Sequence, residues 1–419
     1  MERSGLLLLG IGMITVGATG GERLDRLAEA TLVDFSPDWP TRITPLLGLR
    51  MQTPAEATSS PPAPSSREPK VWLDRRPLQV LGTGSALPGP PISTVDLLDR
   101  IEDRFGMLVR DRGEAFAHKL GIRHRHIVRD FAEAVEGPRP GASNVDLAAS
   151  AIASALDDAG LDIDDVDYLI GHTATPSTLI PSNIAWVADR LGYAGPHQEF
   201  RQACTGFANA VVAAAGLIDG GARAVAIVGS ETCSVYFDPR LAATDLSQLI
   251  NLVQMGDGAG AIVLGPATGQ PGQLTGAYLG QVGGGRAPGL ALRAGGSDQP
   301  WLDNAALTAE HDFQAVRATG PELFLRGAEA VSRLGLDPFS ADVIVPHQAN
   351  GRLAEQFETV MGIPRQRVFV HADAVGNTGS AAMWLAFATL RPSLAVGAKV
   401  AALGAEATKH LFGGFVYEH

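Results

Sequence analysis

Apolar residues recur along this chain at two spacings, and each change from one to the other marks an element. Glu199 to Gln202 predicts a short strand, and from Gly206 the Ala/Val/Leu pattern up to Ile218 predicts a buried helix closed by Gly220-Gly221. Leu78 to Ser85 predicts a strand that turns sharply at Gly82-Thr-Gly84, a tripeptide lacking the rest of a dinucleotide fingerprint. Val145 to Ala159 repeats apolar residues at helical spacing, and Asp167 to Ile170 predicts a short buried strand.

The pattern then repeats itself. Gly160-Leu161-Asp162 is followed by Asp167, a strand and His172, while Gly335-Leu336-Asp337 is followed at the same offset by Asp342, a strand and His347. In each half a helix comes next (Pro181 to Leu191; Gly351 to Met361), then a strand (Glu199 to Gln202; Val368 to Val370), then a turn into a second helix of small residues. Two related α/β halves follow from this echo, with Cys204 at the first turn answering the Asn377 region at the second. Sites in such sheets form at the carboxyl ends of the strands, so both turns and His347 are expected at one edge.

The ends divide differently. Residues 1–50 read as an extension: Arg3, the apolar run Leu6 to Val16 and Gly17-Ala-Thr-Gly-Gly21 resemble a secretory signal, and the run is too short to span a bilayer. Other readings of it are a buried strand or a wrongly chosen start. Residues 51–70 are rich in Pro and Ser with almost no large apolar side chain, which predicts a flexible linker. The folded body is expected as an N-terminal half over 71–265 and a C-terminal half over 266–419.

Composition narrows the chemistry. An apolar content of 45% over 419 residues is enough for a large core. A net charge of -12 argues against a broad nucleic-acid-binding face and toward small molecules or proteins that meet a local basic patch. The densest such patch runs from His118 to Arg129 and includes Lys119, Arg123 and Arg125. With Cys204 and Cys233 as the only cysteines, a disulfide scaffold and a cysteine-based zinc site are disfavoured; a reducing, cytoplasmic setting and no metal are expected.

Cys204 is the candidate nucleophile, because a thiol opening a helix faces unpaired N–H groups and the positive dipole end, which favour the thiolate. The competing reading of an isolated cysteine is a buried structural one, and Cys233 is read that way. Val345-Pro-His347-Gln-Ala-Asn350-Gly-Arg352 and Val375-Gly-Asn377-Thr-Gly379 add an imidazole at a strand end and an amide in a glycine turn. Cys204 would attack a thioester with backbone N–H groups holding the oxyanion, and His347 and Asn377 could donate to an enolate formed by loss of CO₂ from a malonyl thioester. His371 and Asp373 are read as supporting or plain strand-end residues. Without further signs, His347 and Asn377 are equally a capping histidine and a turn residue.

From Leu78 to His419 the chain resembles the ketoacyl-acyl-carrier-protein synthase III group of the thiolase fold, through Gly82-Thr-Gly-Ser-Ala-Leu-Pro88, Gly121-Ile-Arg-His-Arg125, Ala203-Cys-Thr-Gly-Phe207, Gly229-Ser-Glu231, Met255-Gly-Asp-Gly-Ala-Gly-Ala261, His347-Gln-Ala-Asn350 and Gly376-Asn-Thr378. The resemblance implies a five-layered αβαβα fold, a homodimer, and a Cys204, His347, Asn377 triad for acyl loading and decarboxylative Claisen condensation. No cofactor is implied; the substrates are acyl thioesters of coenzyme A or of an acyl carrier protein, with no nucleic acid partner and no membrane span. Asn350 and Arg352 would contact the phosphopantetheine arm, and Thr175 to Pro181 would reach across the dimer with Ile180 bounding the partner's acyl pocket.

Three departures shape the expectation. Where the family usually carries a tryptophan that stacks on adenine, this chain has Glu114-Ala115-Phe116, which leaves a carrier protein docking on Lys119 and Arg125 as an acyl donor. The family takes one oxyanion donor from a glycine-rich loop near the C-terminus, which here carries Glu406 and Thr408; Glu406 is expected as a solvated loop carboxylate, the other reading being a new acid or base. Thr232 to Met255 is longer than usual and suggests an altered acyl tunnel or lid. Together these point to specialised metabolism, such as polyketide assembly, beside a fatty-acid-like role. Two rival functions keep the fold: transfer of the acyl group to an alcohol or amine without a carbon–carbon bond, and a non-catalytic partner subunit. A papain-like hydrolase would need a different chain pattern.

Overall fold

The computed structural model describes residues 68–131, 137–292, 294–297 and 309–419; the expected extension and all but the last three residues of the linker lie outside them. The first half contains β1 (Val71–Asp74), β2 (Leu78–Ala86), β3 (Ile92–Ser93), α1 (Thr94–Phe105), α2 (Arg110–Leu120), β4 (His124–Arg125), α3 (Asn144–Ala159), β5 (Tyr168–His172), α4 (Asn183–Leu191), β6 (His197–Phe200), α5 (Gly206–Asp219), β7 (Val225–Thr232), α6 (Leu246–Gln254) and β8 (Asp257–Pro266). The second contains β9 (Gln273–Gln281), β10 (Leu290–Ala291), β11 (Glu310–His311), α7 (Phe313–Leu334), β12 (Val343–Pro346), α8 (Leu353–Met361), α9 (Ala372–Val375), α10 (Ala382–Leu390), β13 (Lys399–Glu406) and β14 (Leu411–Glu418).

The echo in the sequence is an echo in hydrogen bonding. One run of strands is ordered β2-β8-β7-β5-β6, and the other β9-β14-β13-β12, with Val368 bridging Ile344 where the first run has β6. The directions match: β2/β8 and β7/β8 are antiparallel and β5 is parallel to β7 and β6, just as β9/β14 and β13/β14 are antiparallel and β12 is parallel to β13. The two aspartates that flagged the repeat also do the same work. The backbone N–H of Asp167 donates to Ala224 O while its carboxylate takes the Ala224 N–H; the N–H of Asp342 donates to Lys399 O while its carboxylate takes the Lys399 N–H. β2 and β9 touch only through Leu78–Gln79, joining the two runs into one ten-stranded sheet. β1 pairs with β9, so the first strand of the chain sits in the second run.

Helices occupy three levels around these runs. α3 packs on β2, β8 and β7, and α7 packs on β13, β14 and β9, while α5 and α10 lie between the runs. The central pair is hydrophobic all round, as a helix buried on both sides must be. Phe207 of α5 and Trp384 of α10 meet edge to face with centroids 5.7 Å apart, and both pack against Phe415 of β14 at 5.9 Å. This is the five-layered, thiolase-like α/β fold that the sequence predicts.

Local chemistry explains the boundaries. α3 starts at Asn144 because Ser143 Oγ accepts the Asp146 N–H while Asp146 returns a bond to the Ser143 N–H, and it stops at Gly160, whose φ of 65° carries a left-handed cap. Gly82-Thr-Gly84 serves packing: a Cβ at Gly84 would stand 2.3 Å from Ala151 O on α3, and one at Gly82 2.2 Å from Ala155 O. Only glycine lets this helix lie so close to β2.

Gly84→Ala should therefore destabilise the fold by about 2 kcal/mol or more, the scale of an overpacked core. Urea unfolding checks this; an unchanged midpoint would show that α3 can yield without cost.

Candidate functional site

Beyond β6 the backbone turns at Gln202–Thr205 and enters α5, and this turn is tied down from several sides. Asn209 Nδ2 donates to Gln202 Oε1 (2.6 Å), Gln202 Nε2 to Thr205 Oγ1 (2.8 Å), and Thr205 Oγ1 to Glu406 Oε2 (2.7 Å), which also takes the Thr205 N–H (2.9 Å). Donors run one way along this chain and end on a carboxylate, an acceptor-only group. Cys204 sits inside the turn, half-buried. Its thiol is pushed well above the ordinary range, first by burial and then by the carboxylates of Glu406 and Glu231. The expected lowering by the helix terminus is thus overturned: two nearby negative charges and desolvation outweigh the dipole.

His347 follows β12, held by its N–H to Leu403 O (2.8 Å). It is 4% exposed, and burial lowers its pKa to about 4, so the ring is neutral. Its Nδ1 is buried with no partner among the described residues. A proton there would be an unsatisfied buried donor, so the favoured tautomer carries it on Nε2. Asn377 is positioned by backbone bonds to α6, its N–H donating to Gln254 O (2.9 Å) and its carbonyl accepting from Gly256 (3.0 Å). Its Oδ1 accepts the Gly379 N–H at 3.0 Å, which leaves Nδ2 as the free donor end.

One buried carboxylate binds the two halves around these residues. Glu231, at the end of β7, accepts from Thr175 Oγ1 (2.5 Å) and the Ala174 N–H (3.2 Å) beyond β5, and from Ser380 N–H (3.0 Å) and Oγ (2.7 Å) beyond Asn377. Burial raises its pKa, and these four donors oppose the rise.

Cys204, His347 and Asn377 line one cavity of about 210 Å³, together with Glu231, Glu406, Thr408 and His410. α6 and the segment before it supply Cys233, Phe237, Asn251 and Met255, so the long Thr232 to Met255 stretch forms one wall; α7 supplies Leu323 and Phe324. Cys233 is a wall residue whose thiol burial also pushes up. His172, the echo of His347, is fully buried beside the central helices and accepts from Trp384 Nε1 (3.1 Å), so only one of the paired histidines reaches the cavity. His371 and Asp373 lie off it; Asp373 pairs with Arg123 at 2.5 Å. Among the described residues no group of three or more His, Cys, Asp or Glu is placed to hold a metal ion, and no helix is long and apolar enough to cross a membrane.

Two further expectations need correction. Glu406 is no solvated loop carboxylate: it ends β13, is 2% exposed, and accepts from Thr205 and from Thr408 Oγ1. Arg125 cannot dock a carrier at the surface, because it is fully buried, donating to Thr94 Oγ1 (3.0 Å) and Val253 O (2.6 Å), with burial lowering its pKa to about 10. Lys119 is exposed, 5.9 Å above the Phe116 ring. Arg352 borders a second recess of about 310 Å³ with His118, Arg123 and Asp373, its N–H donating to Asn350 Oδ1 (2.8 Å) and its guanidinium to His118 O (3.1 Å). Ile180 is 89% exposed. Sequence reasoning passed over His410 and the Asn251–His311 pair (2.8 Å) in the cavity wall, since no local pattern distinguishes them.

Family models described as 3-oxoacyl-[acyl-carrier-protein (ACP)] synthase III and its C-terminal part match residues 199–283 and 331–407. A beta-ketoacyl-[acyl-carrier-protein] synthase III of Caldanaerobacter subterraneus subsp. tengcongensis is 31% identical over 73% of this chain and 87% of its own length. One from Thiobacillus denitrificans is 31% identical over 74% of this chain and 88% of its own. Among solved structures, AbyA1, a tetronic acid condensing enzyme, superposes with a TM-score of 0.72 and 29% identity, covering 82% of this chain and 100% of that one.

The raised Cys204 thiol predicts slow alkylation by iodoacetamide at neutral pH, with a rate still climbing above the ordinary thiol range near pH 8.5. Glu406→Gln removes a neighbouring negative charge and should move that curve to lower pH. A wild-type curve that levels off below pH 8 would contradict the electrostatic account.

Proposed function

Because the chain belongs to the beta-ketoacyl-[acyl-carrier-protein] synthase III family, we propose that it loads an acyl group from a thioester onto Cys204 and condenses it with a malonyl-type thioester on a carrier protein. The observation that supports this most directly is the opening of Cys204, His347 and Asn377 onto one largely apolar cavity. In the first step Sγ attacks the thioester carbonyl carbon, the pantetheine thiolate leaves, and the thiol proton passes to the leaving sulfur. The resting thiol and imidazole are both neutral, so activation accompanies substrate entry and no thiolate–imidazolium pair is formed beforehand.

For the second step, loss of CO₂ from the malonyl thioester leaves an enolate, and its negative oxygen needs two donors. Nε2–H of a neutral His347 and Nδ2 of Asn377 are that pair, the first set by the empty Nδ1 and the second by the Gly379 bond. Each preorganised donor of this kind is worth roughly 10² to 10³ in rate. The enolate carbon then attacks the acyl carbonyl, and the tetrahedral intermediate collapses with departure of the Cys204 sulfur. We assign Lys119, Asn350 and Arg352 to the approach of the carrier-borne arm, and Ile180 to a homodimer interface. Similarity to a tetronic acid condensing enzyme supports a specialised product.

Transfer to an alcohol or amine needs no enolate, and the two-donor arrangement favours condensation over it. Asn377→Asp places a carboxylate against the enolate, so CO₂ release from malonyl carrier protein should fall about 10²-fold or more while a mass adduct still forms on Cys204. Retained CO₂ release in that variant refutes the assignment. Arg352→Ala should raise KM for the carrier-borne thioester several-fold, measured by steady-state kinetics; an unchanged KM removes Arg352 from the approach path.

A further inference from the structure

The cavity beside Cys204 is walled largely by apolar side chains such as Leu290, Val316, Leu323 and Phe324, yet one side of it differs. Where β13 turns into β14, Glu406, Thr408 and His410 all face the cavity from a single five-residue stretch. His410 Nε2 lies 2.8 Å from Ala287 O. A carbonyl only accepts, so Nε2 carries a ring proton, and in that tautomer Nδ1 is a bare acceptor. That atom is buried with no partner among the described residues, on a residue that is 2% exposed and held at a φ of 56°. Left-handed backbone at a non-glycine residue is unfavourable, so the surrounding structure holds the ring in place.

Glu406 adds a second acceptor. Its carboxylate takes the Thr205 N–H, the Thr205 hydroxyl and the Thr408 hydroxyl, and a carboxylate has about four acceptor sites, so one remains. The neighbouring hydroxyls are committed, since the Thr205 and Thr408 protons go to Glu406, and Lys409 Nζ places one of its N–H groups on Arg286 O. This wall therefore offers two side-chain acceptors that the turn's own hydroxyls do not fill. A plain alkyl chain would cover both acceptors and leave them dry and unpaired, which is costly.

We propose that the acyl unit received beside Cys204 carries a hydroxyl close to its thioester, and that Glu406 and His410 Nδ1 accept its proton in a hydrogen bond. This specificity rests on the reading that Cys204 is acylated. It requires no further covalent step, since the hydroxyl binds and does not react. It also gives the carboxylate beside the nucleophile a use.

The test is acyl loading of Cys204 in the full chain, followed by intact-mass spectrometry, with butanoyl, α-hydroxybutanoyl and β-hydroxybutanoyl thioesters of pantetheine. The wild-type protein should load one of the hydroxylated acyl groups about tenfold faster than butanoyl, the factor expected from one net hydrogen bond. In Glu406→Gln and His410→Leu that ratio should fall toward one. Equal wild-type rates for all three donors overturn the proposal, because the two acceptors would then be satisfied by water. A preference that survives in both variants overturns the assignment to this wall. If no donor loads while Cys204 remains open to alkylation, the acylation reading itself fails, and the inference with it.

Discussion

A single buried carboxylate holds the site together. Glu231 ends β7 of one half and accepts from the loop beyond β5 on one side and from Ser380, three residues past Asn377, on the other. The polypeptide around Asn377 is otherwise attached to the first half through backbone bonds to Gln254 and Gly256. Without a group able to take four donors at that point, the buried N–H and hydroxyl groups of both loops would lack partners, each at a cost of about 1–3 kcal/mol. The placement of the amide relative to the thiol follows from this junction.

The same burial sets the electrostatics. His347 is neutral because its surroundings disfavour imidazolium, and Cys204 is a thiol because desolvation and two carboxylates disfavour thiolate. Its thiol and imidazole carry no charge at rest; in the proposed reaction the donors Nε2–H and Nδ2 act on a charge that arises only when substrate reacts. Preorganised dipoles in a dry cavity act most strongly on such a developing charge. The two carboxylates are the exceptions: Glu231 is met by donors from both halves, and Glu406 by the directed chain of donors from Asn209 through Gln202 and Thr205.

Much of the architecture was legible along the chain because it rests on local, repeated physics. The two Gly-Leu-Asp starts, the aspartates at a fixed offset and the strands they introduce recur in the same register, and each aspartate closes the same backbone loop in its own half. Helix α3 begins within a residue of the expected position because a capping box is written in Ser143 and Asp146. The gathering of Cys204, His347 and Asn377 on one cavity was legible by the same symmetry, although the expected strand over Val368 to Val370 is only a single bridge to Ile344, and Asn377 follows α9. Charge state was not. A helix N-terminus argues for a thiolate, yet the thiol is raised first by burial and then by Glu406 and Glu231, which come from β13 and β7 and are 202 and 27 residues away in the chain.

Arg125 and Glu406 show where reading ended. Both are charged residues in stretches that look solvated, and charge is ordinarily a sign of exposure. Arg125 is enclosed because α6 and the Thr94 hydroxyl close over it, and Glu406 because the Cys204 turn folds onto the end of β13. The sequence by itself determined the period of each element, its caps, the repetition of the halves and the identity of the reactive groups, since these depend on neighbours a few residues apart. Only the tertiary structure decided which charges are buried, which of two echoing histidines lines the cavity of the thiol, and which acceptors in the cavity remain without a donor. Those properties depend on what distant segments bring to within a few ångströms, and burial in a medium of low polarity makes such contacts outweigh local preference.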